Sequence, residues 1–393
     1  MIVRHFLQWV RTAPAGERAA ATSALARAYL YSDLSVDDRA AAEGAMVMLL
    51  DDVSPLVRRA LAHALAGDEG APATVIHALS TDLPDIAAIV LGRSPLFIDA
   101  ELVDLVATGG PLVQSAIAGR PYLPRSVAAA IAEVGSSETC RALVENSAAD
   151  IAPLSFDRLI ERFSDVAAIR EGLLARADLP RSARQALVNK ISTLLADFVV
   201  ARAWLEEGRA QRAAKEACEK ATIVLAAGSP EHEMGPLIRH LCESGQLTAG
   251  LMLRALLSGN VALFEEALGE LSGMPLERVQ GIVHDKKGAG FRALYDKAGL
   301  PASAYPAFRE AVEAMREAVH LGEPGDGSRL KRRMIERVLT GCASLQVGDV
   351  EPLLTLLRRY ATEAAREEAR LYCEELAAED APTRQGYAAR YAA

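Results

Sequence analysis

The chain has 393 residues, of which 51% are hydrophobic, and its formal net charge at pH 7 is −9. This length and apolar content provide more core than one compact domain usually holds. The acidic balance argues against a protein built around nonspecific nucleic-acid binding. Aromatic residues make up only 5% of the chain, and the abundance of Ala and Leu favours helices over strands.

Residues 1–52 are predicted to form about three helices, with a break at Pro14 and a capping side chain for the third at Ser32-Asp33 or at Ser35. The first apolar stretch is interrupted by Arg4, His5 and Arg11, which is unlike the apolar core of a signal peptide. No run of 18 apolar residues occurs, so no membrane span is predicted. We therefore expect a cytoplasmic protein.

From residue 53 onward, prolines recur at regular intervals. Positions 55, 84 and 111 are separated by 29 and 27 residues, and positions 124, 153 and 180 repeat the same two intervals. Pro is tolerated in the first turn of a helix, because its missing N–H has no intrahelical partner there. The doubled series therefore predicts short helices with Pro at or near their openings.

Apolar residues follow each proline at helical spacing, as in Val57, Leu61 and Leu65. Helices this short are unstable alone and must bury their apolar stripes on their neighbours. The pattern predicts an all-α chain that begins with a right-handed α-solenoid of short helix pairs. This repeat domain is expected at residues 1–228, with its most regular units at 53–190.

The proline punctuation stops after Pro180. Residues 182–227 are predicted to form one long helix, or two helices with a break near Gly208, and a domain boundary is placed at Gly228. A helical C-terminal domain is expected at residues 229–320, followed by a flexible linker at 321–328. A closing helical hairpin is expected at 329–380, and residues 381–393 form a tail.

The five cysteines form no CxxC motif. Cys140, Cys218 and Cys373 lie in helical patterns, so we expect small buried hydrophobic side chains in a reducing compartment.

Two features resemble a known family: the alternation of Leu-Pro openings with Ala-rich helices, and the segment HDKKGAGFRALYDKAGLP at His284–Pro301. Together they resemble an uncharacterised bacterial family, domain of unknown function 2336, whose members carry HEAT-like helical repeats. The resemblance covers about residues 40–320. It implies a HEAT-like α-solenoid with a helical C-terminal part, in the bacterial cytoplasm, and it implies no catalytic residues.

The common motifs of catalysis and cofactor binding are absent. There is no phosphate loop, no complete GxGxxG and no GxSxG, and His232 and His240 do not have the HExxH spacing of zinc proteases. We expect no catalytic, cofactor-binding or metal-ligating residues, and hence no enzyme.

The most unusual polar stretch lies at the end of a predicted helix. His284, Asp285, Lys286 and Lys287, with Arg292 in the next helix, form a candidate interaction or anion site. The alternative is a Lys-rich helix C-terminus that complements the helix dipole without any ligand.

Two further groups of basic residues are candidates for a basic surface. The first group follows the linker, and its RxxxR spacing is used by a class of cyclic-dinucleotide receptors; it comprises Arg329, Lys331, Arg332 and Arg333. The second group lies near the helix openings and comprises Arg58, Arg59, Arg125, Arg181 and Arg184. If equivalent positions align, the second group forms a basic ridge. The alternative for both groups is a solvated surface whose charges pair with nearby carboxylates.

Three functions remain open on these observations. The favoured one is a noncatalytic protein–protein interaction scaffold or adaptor in bacterial signalling or regulation, with another protein as its partner. The first alternative is a HEAT-like nucleic-acid-binding protein or DNA glycosylase-like enzyme, which the net charge and the few aromatic residues disfavour. The second is a sensor of small anions or cyclic dinucleotides, with the linker as its hinge.

Overall fold

A computed structural model of the chain describes residues 9–10, 12–285, 288–321, 327–343 and 351–379. Within these ranges the regular structure is helical, and the one β-bridge joins Leu123 to Ala149. The predicted all-α class is confirmed. None of the described helices has both the length and the apolar character needed to cross a membrane. The chain divides into two compact units, Met1–Leu187 and Val188–Ala393.

The first unit consists of short helices. They are α1 Ala15–Tyr31, α2 Val36–Leu49, α3 Pro55–Leu65, α4 Ala73–Ser80, α5 Pro84–Arg93, α6 Asp99–Thr108, α7 Pro111–Ala118, α8 Arg125–Val134, α9 Ser137–Glu145, α10 Pro153–Phe163 and α11 Ala167–Ala175. The next helix, α12 Arg181–Ala201, begins in this unit and continues into the second.

These helices pack in two rows. In the odd row, α1, α3, α5, α7 and α9 each contact the next odd helix, so the row runs from α1 to α11. In the even row, α2 contacts α4, α6 contacts α8, and α8 contacts α10. Within a row, equivalent helix ends lie together, because Arg59 near the opening of α3 pairs with Asp85 in the first turn of α5. The first proline series therefore opens odd-row helices, whereas the second belongs to even-numbered helices.

The exposure of the leucine in a Leu-Pro opening differs between the two rows. Leu123 and Leu179 precede the second series of prolines and are buried in the first core. Leu83 precedes Pro84 in the odd row and is 45% exposed. In the even row, the backbone N–H of Asp150 donates to the carbonyl of Leu123, so two successive openings also hydrogen-bond to each other.

The carbonyl groups at the C-termini of α5, α7, α9 and α11 are capped by side chains from later parts of the chain. The last carbonyls of a helix have no intrahelical partner, and a cation near them also complements the helix dipole. In chain order, the donors and their acceptor carbonyls are Arg120 to Leu91 and Ser94, Asn146 to Ala118 and Arg120, Arg176 to Val144, Asn146 and Ala149, and Arg184 to Leu174 and Arg176. We call these four donors the capping ladder.

The same arrangement occurs in the even row. Arg162 at the end of α10 donates to the carbonyls of Ala132 and Gly135 at the end of α8, at 2.6 and 2.8 Å. In the capping ladder, Arg120 and Arg176 are each only 8% exposed, so the hydrogen bonds that they donate to carbonyls are buried and charge-assisted. Burial lowers the pKa of Arg120 from its usual value.

The second unit has its own core, which is centred on α15 and α16. Its helices after α12 are α13 Glu207–Ala227, α14 Glu231–Glu243, α15 Ala249–Leu257, α16 Val261–Ser272, α17 Leu276–Val283, α18 Phe291–Lys297, a 3-10 turn Ala302–Ala304, α19 Tyr305–Leu321, α20 Gly327–Ala343 and α21 Glu351–Glu379. Helices α19, α20 and α21 pack in sequence, and α19 and α20 also contact α15.

The division between the units comes earlier than the boundary predicted at Gly228. Ile223 and Ala226, at the end of α13, pack into the second core, whereas Leu187 belongs to the first. Residues 182–227 form two helices, which is the second of the two arrangements predicted for this segment. The break lies before Gly208, where Ala203 has a φ of 55°. Most of the predicted linker and the tail at 381–393 lie outside the described residues.

The capping ladder makes a stability prediction. Arg176→Met removes the donor for three carbonyls at the end of α9, and we expect the free energy of unfolding to fall by about 2–4 kcal/mol. The control is Arg141→Met on α9, which removes one exposed pair with Glu145 and should cost ~0.5 kcal/mol or less. Urea denaturation followed by circular dichroism measures both variants. Equal midpoints for the two would contradict a structural role for Arg176.

Candidate functional site

The basic residues near the helix openings do not form one row of free cations. Arg58 pairs with Asp82 at 2.6 Å, Arg59 pairs with Asp85, and Arg125 pairs with Asp150 at 3.1 Å. They also lie in different rows, since Arg58 and Arg59 are on α3 and Arg125 is on α8. Burial works against ionisation of Asp82, but hydrogen bonds from Arg58 and from the N–H of Leu83 outweigh it and lower the pKa of Asp82.

The other two members of this group lie on α12. Arg184 is a member of the capping ladder, and Arg181 opens the helix and also has an interaction partner. The structure therefore brings together only some members of the predicted ridge. The members that it brings together are paired with carboxylates or cap helix ends.

The basic cluster after the linker lies on α20. Lys331 pairs with Glu367 at 2.8 Å, and Arg332 pairs with Glu336 and Glu368. Arg333 is exposed and also has an interaction partner, while the side chain of Arg329 lies outside what the structure describes. The pairs with Glu367 and Glu368 join α20 to α21, and the pair with Glu336 lies within α20, which is the arrangement expected of a solvated, salt-bridged surface.

The predicted site at His284 is centred on a buried carboxylate that the sequence reading did not include. Glu265 on α16 is 4% exposed, and its two oxygens lie 2.7 Å from His284 Nε2 and 3.1 Å from the amide of Gln280. The imidazole of His284 is itself half-exposed. This carboxylate orients the imidazole, and the pair ties the end of α17 to α16.

The rest of the predicted site is dispersed. Arg292 pairs with Asp296 on its own helix and lies over the ring of Tyr305, with 4.3 Å between the guanidinium carbon and the ring centroid. Asp285 also has an interaction partner, whereas Lys286 and Lys287 lie outside the described residues. The carbonyls at the end of α17 accept hydrogen bonds from Arg316, in the same manner as in the capping ladder.

A buried charge cluster in the second unit was not predicted from the sequence. Arg254 on α15 is 6% exposed, and its Nη1 lies 3.0 Å from both oxygens of Glu363 on α21. Its guanidinium lies 4.0 Å from the ring centroid of Tyr360, whose hydroxyl donates to the carbonyl of Gly250. The lone Arg within the apolar run LMLRALL could have indicated this cluster in the sequence, because a buried cation requires a partner.

The acids in this cluster differ in how well they are paired. Burial opposes the charge of Glu363, but the hydrogen bond from Lys220 and the charge of Arg254 outweigh it, so the pKa of Glu363 is lowered. Glu219 on α13 lies 3.4 Å from Arg254 Nε, and burial raises its pKa despite that charge. Burial also raises the pKa of Tyr360 to about 12. Glu219 is thus the less fully compensated carboxylate.

Glu219 also lines a polar cavity of about 350 Å³. The walls come from α12, α13 and the connection between α14 and α15. The lining residues are Asn189, Ser192, Thr193, Ala196, Asp197, Gln211, Ala214, Lys215, Cys218, Glu219, Thr222, Leu241, Gly245, Gln246, Thr248 and Leu251. A volume of this size suits a small molecule.

A larger open groove of about 730 Å³ runs along one face of α21. Its lining combines cations and carboxylates: Glu216, Lys220, Thr355, Arg358, Arg359, Thr362, Glu363, Arg366, Glu367 and Arg370. Most of these charges are already paired, as in Arg359 with Glu216 and Arg370 with Glu374.

The cysteines follow the prediction at two of three positions. Cys140 and Cys218 are buried, but Cys373 is exposed, so the expectation for Cys373 was wrong. Cys373 lies near the end of α21, which has 29 residues and extends beyond the 17-residue helix α20 that packs on it. Within the described part of the chain, no group of three or more His, Cys, Asp or Glu side chains is arranged to hold a metal ion.

These features define an all-helical protein in which short helices with prolines at their openings pack in two rows, followed by a helical unit with a buried arginine cluster. The model of the bacterial family described as an uncharacterised protein conserved in bacteria, domain of unknown function 2336, matches residues 86–348. The chain belongs to this family, and the resemblance seen in the sequence is confirmed. Neither a curated protein nor a solved structure matches the chain.

The buried pair of Glu265 and His284 predicts a stability difference. His284→Ala leaves the buried carboxylate without its shorter hydrogen bond, and we expect a loss of about 1–3 kcal/mol in the free energy of unfolding. The control is His77→Ala, which removes a 3.8 Å pair with Glu101 in which both side chains are exposed. Thermal or urea unfolding should show a loss at His77 less than half as large. Similar losses would argue against a structural role for the Glu265 pair.

The environment of Cys140 predicts low reactivity. Burial raises the pKa of its thiol to about 11, so only about one molecule in a thousand carries the thiolate near pH 8. Iodoacetamide labelling followed by peptide mass mapping should modify the exposed Cys242 and leave Cys140 unmodified until denaturant is added. Labelling of native Cys140 as fast as Cys242 would show that the thiol is accessible and ionised.

Proposed function

We propose that the protein is a noncatalytic helical-repeat scaffold that binds another protein through the openings of the odd-row helices. The two-row packing of short helices supports an α-solenoid, an architecture that presents an extended surface. The observation that carries the proposal is a set of exposed apolar side chains at these openings. Val53 is 90% exposed, Leu56 51%, Leu83 45% and Leu112 52%.

These four side chains form what we call the odd-row edge. They lie at the openings of α3, α5 and α7, which are successive neighbours in the odd row. Ion pairs from α3 to Asp82 and Asp85 hold the first two openings side by side. Single exposed apolar residues are common on protein surfaces, but a series on adjacent elements is typical of an interaction surface.

The charges near this edge favour a protein partner over nucleic acid. Arg58 and Arg59 are neutralised by aspartates, so the edge offers apolar contact with a paired polar rim. Protein interfaces combine an apolar centre with a polar rim, whereas nucleic-acid binding depends on uncompensated cations for phosphate contacts.

The proposal predicts position-dependent crosslinking. A photoreactive amino acid introduced at Leu56 or Leu112 should give a discrete crosslinked species in living cells, and Leu56→Asp with Leu112→Asp should abolish capture. The control is Leu154, which is 81% exposed at the opening of α10 in the even row. A photoreactive residue at Leu154 should give no such species, and Leu154→Asp should leave capture unchanged.

Equal crosslinking from Leu154 would contradict the choice of the odd-row edge. Loss of capture in the Leu154→Asp variant as well as in the double variant would have the same meaning. All three positions are exposed, so none of these substitutions is expected to unfold the chain.

A further inference from the structure

The polar cavity of the second unit is lined by one partly buried carboxylate and by several hydrogen-bond acceptors. Cys218 is 6% exposed, and its Sγ lies 3.8 Å from the amide oxygens of both Asn189 and Gln246. Two side-chain oxygens from different elements of the lining therefore lie beside the same atom, the sulfur of Cys218. The next residue, Glu219, adds a carboxylate that is 13% exposed.

The charge of Glu219 is only partly compensated by its neighbours. Arg254 directs its Nη1 to both oxygens of Glu363 at 3.0 Å, while its Nε remains 3.4 Å from Glu219. Burial raises the pKa of Glu219 despite the charges of Arg254 and Lys215, so its negative charge costs free energy in this environment. A cation bound beside this carboxylate would reduce that cost.

The other charged groups of the cavity lie nearer solvent. Lys215 and Asp197 both line it and are exposed, and the charge of Lys215 offsets part of the charge of Glu219. An anionic ligand would meet the repulsion of the buried carboxylate. An ammonium group has three donors and no acceptor, and it matches a carboxylate flanked by amide oxygens.

We propose that this cavity binds a small organic cation with a primary ammonium group, which is held by Glu219 with the side-chain oxygens of Asn189 and Gln246. The volume of about 350 Å³ accommodates a short aliphatic amine. Leu241, Leu251 and Ala196 provide apolar wall for its carbon chain.

The test uses the full-length protein with 1,4-diaminobutane as the probe. Its neutral analogue 1,4-butanediol has the same chain length without the charge. Isothermal titration should give saturable binding of the diamine, with at least tenfold weaker binding of the diol. Glu219→Gln should weaken diamine binding at least tenfold, whereas Glu216→Gln, one turn earlier on α13 and outside the cavity, should not.

The alkylation rate of Cys218 provides a second measure of binding, which is independent of the heat measured by titration. In a Cys242→Ser, Cys342→Ser, Cys373→Ser background, saturating diamine should slow alkylation of Cys218 severalfold, and the diol should not. Thr193→Trp places a large side chain at the exposed rim and should also abolish binding without altering the core. Thus a folding defect in Glu219→Gln would not leave the test undecided.

Several outcomes would overturn the proposal. They are no saturable binding of the diamine, equal binding of diamine and diol, and diamine binding that survives both Glu219→Gln and Thr193→Trp. Equal binding of the diol would show that the cavity does not select for charge.

Discussion

The fold of the first unit depends on satisfying the carbonyl groups at the ends of short helices. A helix of 8 to 11 residues, such as α7 or α10, leaves a large share of its carbonyls without intrahelical partners. In the capping ladder the carbonyls at the ends of α5, α7, α9 and α11 accept hydrogen bonds from side chains later in the chain. These helix ends are therefore completed by a later part of the chain, which makes neighbouring repeats depend on one another.

In the same unit, one sequence pattern serves two purposes. A Leu-Pro opening at Leu123 or Leu179 places the leucine in the core, whereas the opening at Leu83 leaves it exposed. The difference arises because the two proline series belong to helices of different rows. The buried leucines hold the stack together, and the exposed ones make the odd-row edge available for the proposed partner.

The second unit solves a different problem, the burial of charge. Arg254 lies in the core because Glu363 accepts both of its short contacts and Tyr360 covers its guanidinium. Removing one partner from such a cluster is usually far more destabilising than the cluster is stabilising. Glu219 belongs both to this cluster and to the polar cavity. A ligand at Glu219 would therefore act on the residues that join α13, α15 and α21.

The sequence by itself determined the helical class and the positions at which the short proline-led helices open, because Pro placement and apolar periodicity are local properties. It predicted a helical C-terminal part and a closing pair of helices, and it left open whether residues 182–227 form one helix or two. Only the tertiary structure decided which row each proline series joins and that Cys373 is exposed. It also decided the interaction partners, such as the carbonyls that Arg184 caps and the carboxylate of Glu265 that contacts His284. The pair of Arg254 and Glu363 is separated by 109 residues, and no local pattern specifies which distant carboxylate meets a buried cation. Burial and pairing depend on contacts between segments far apart in the chain, so they emerge only when the helices pack.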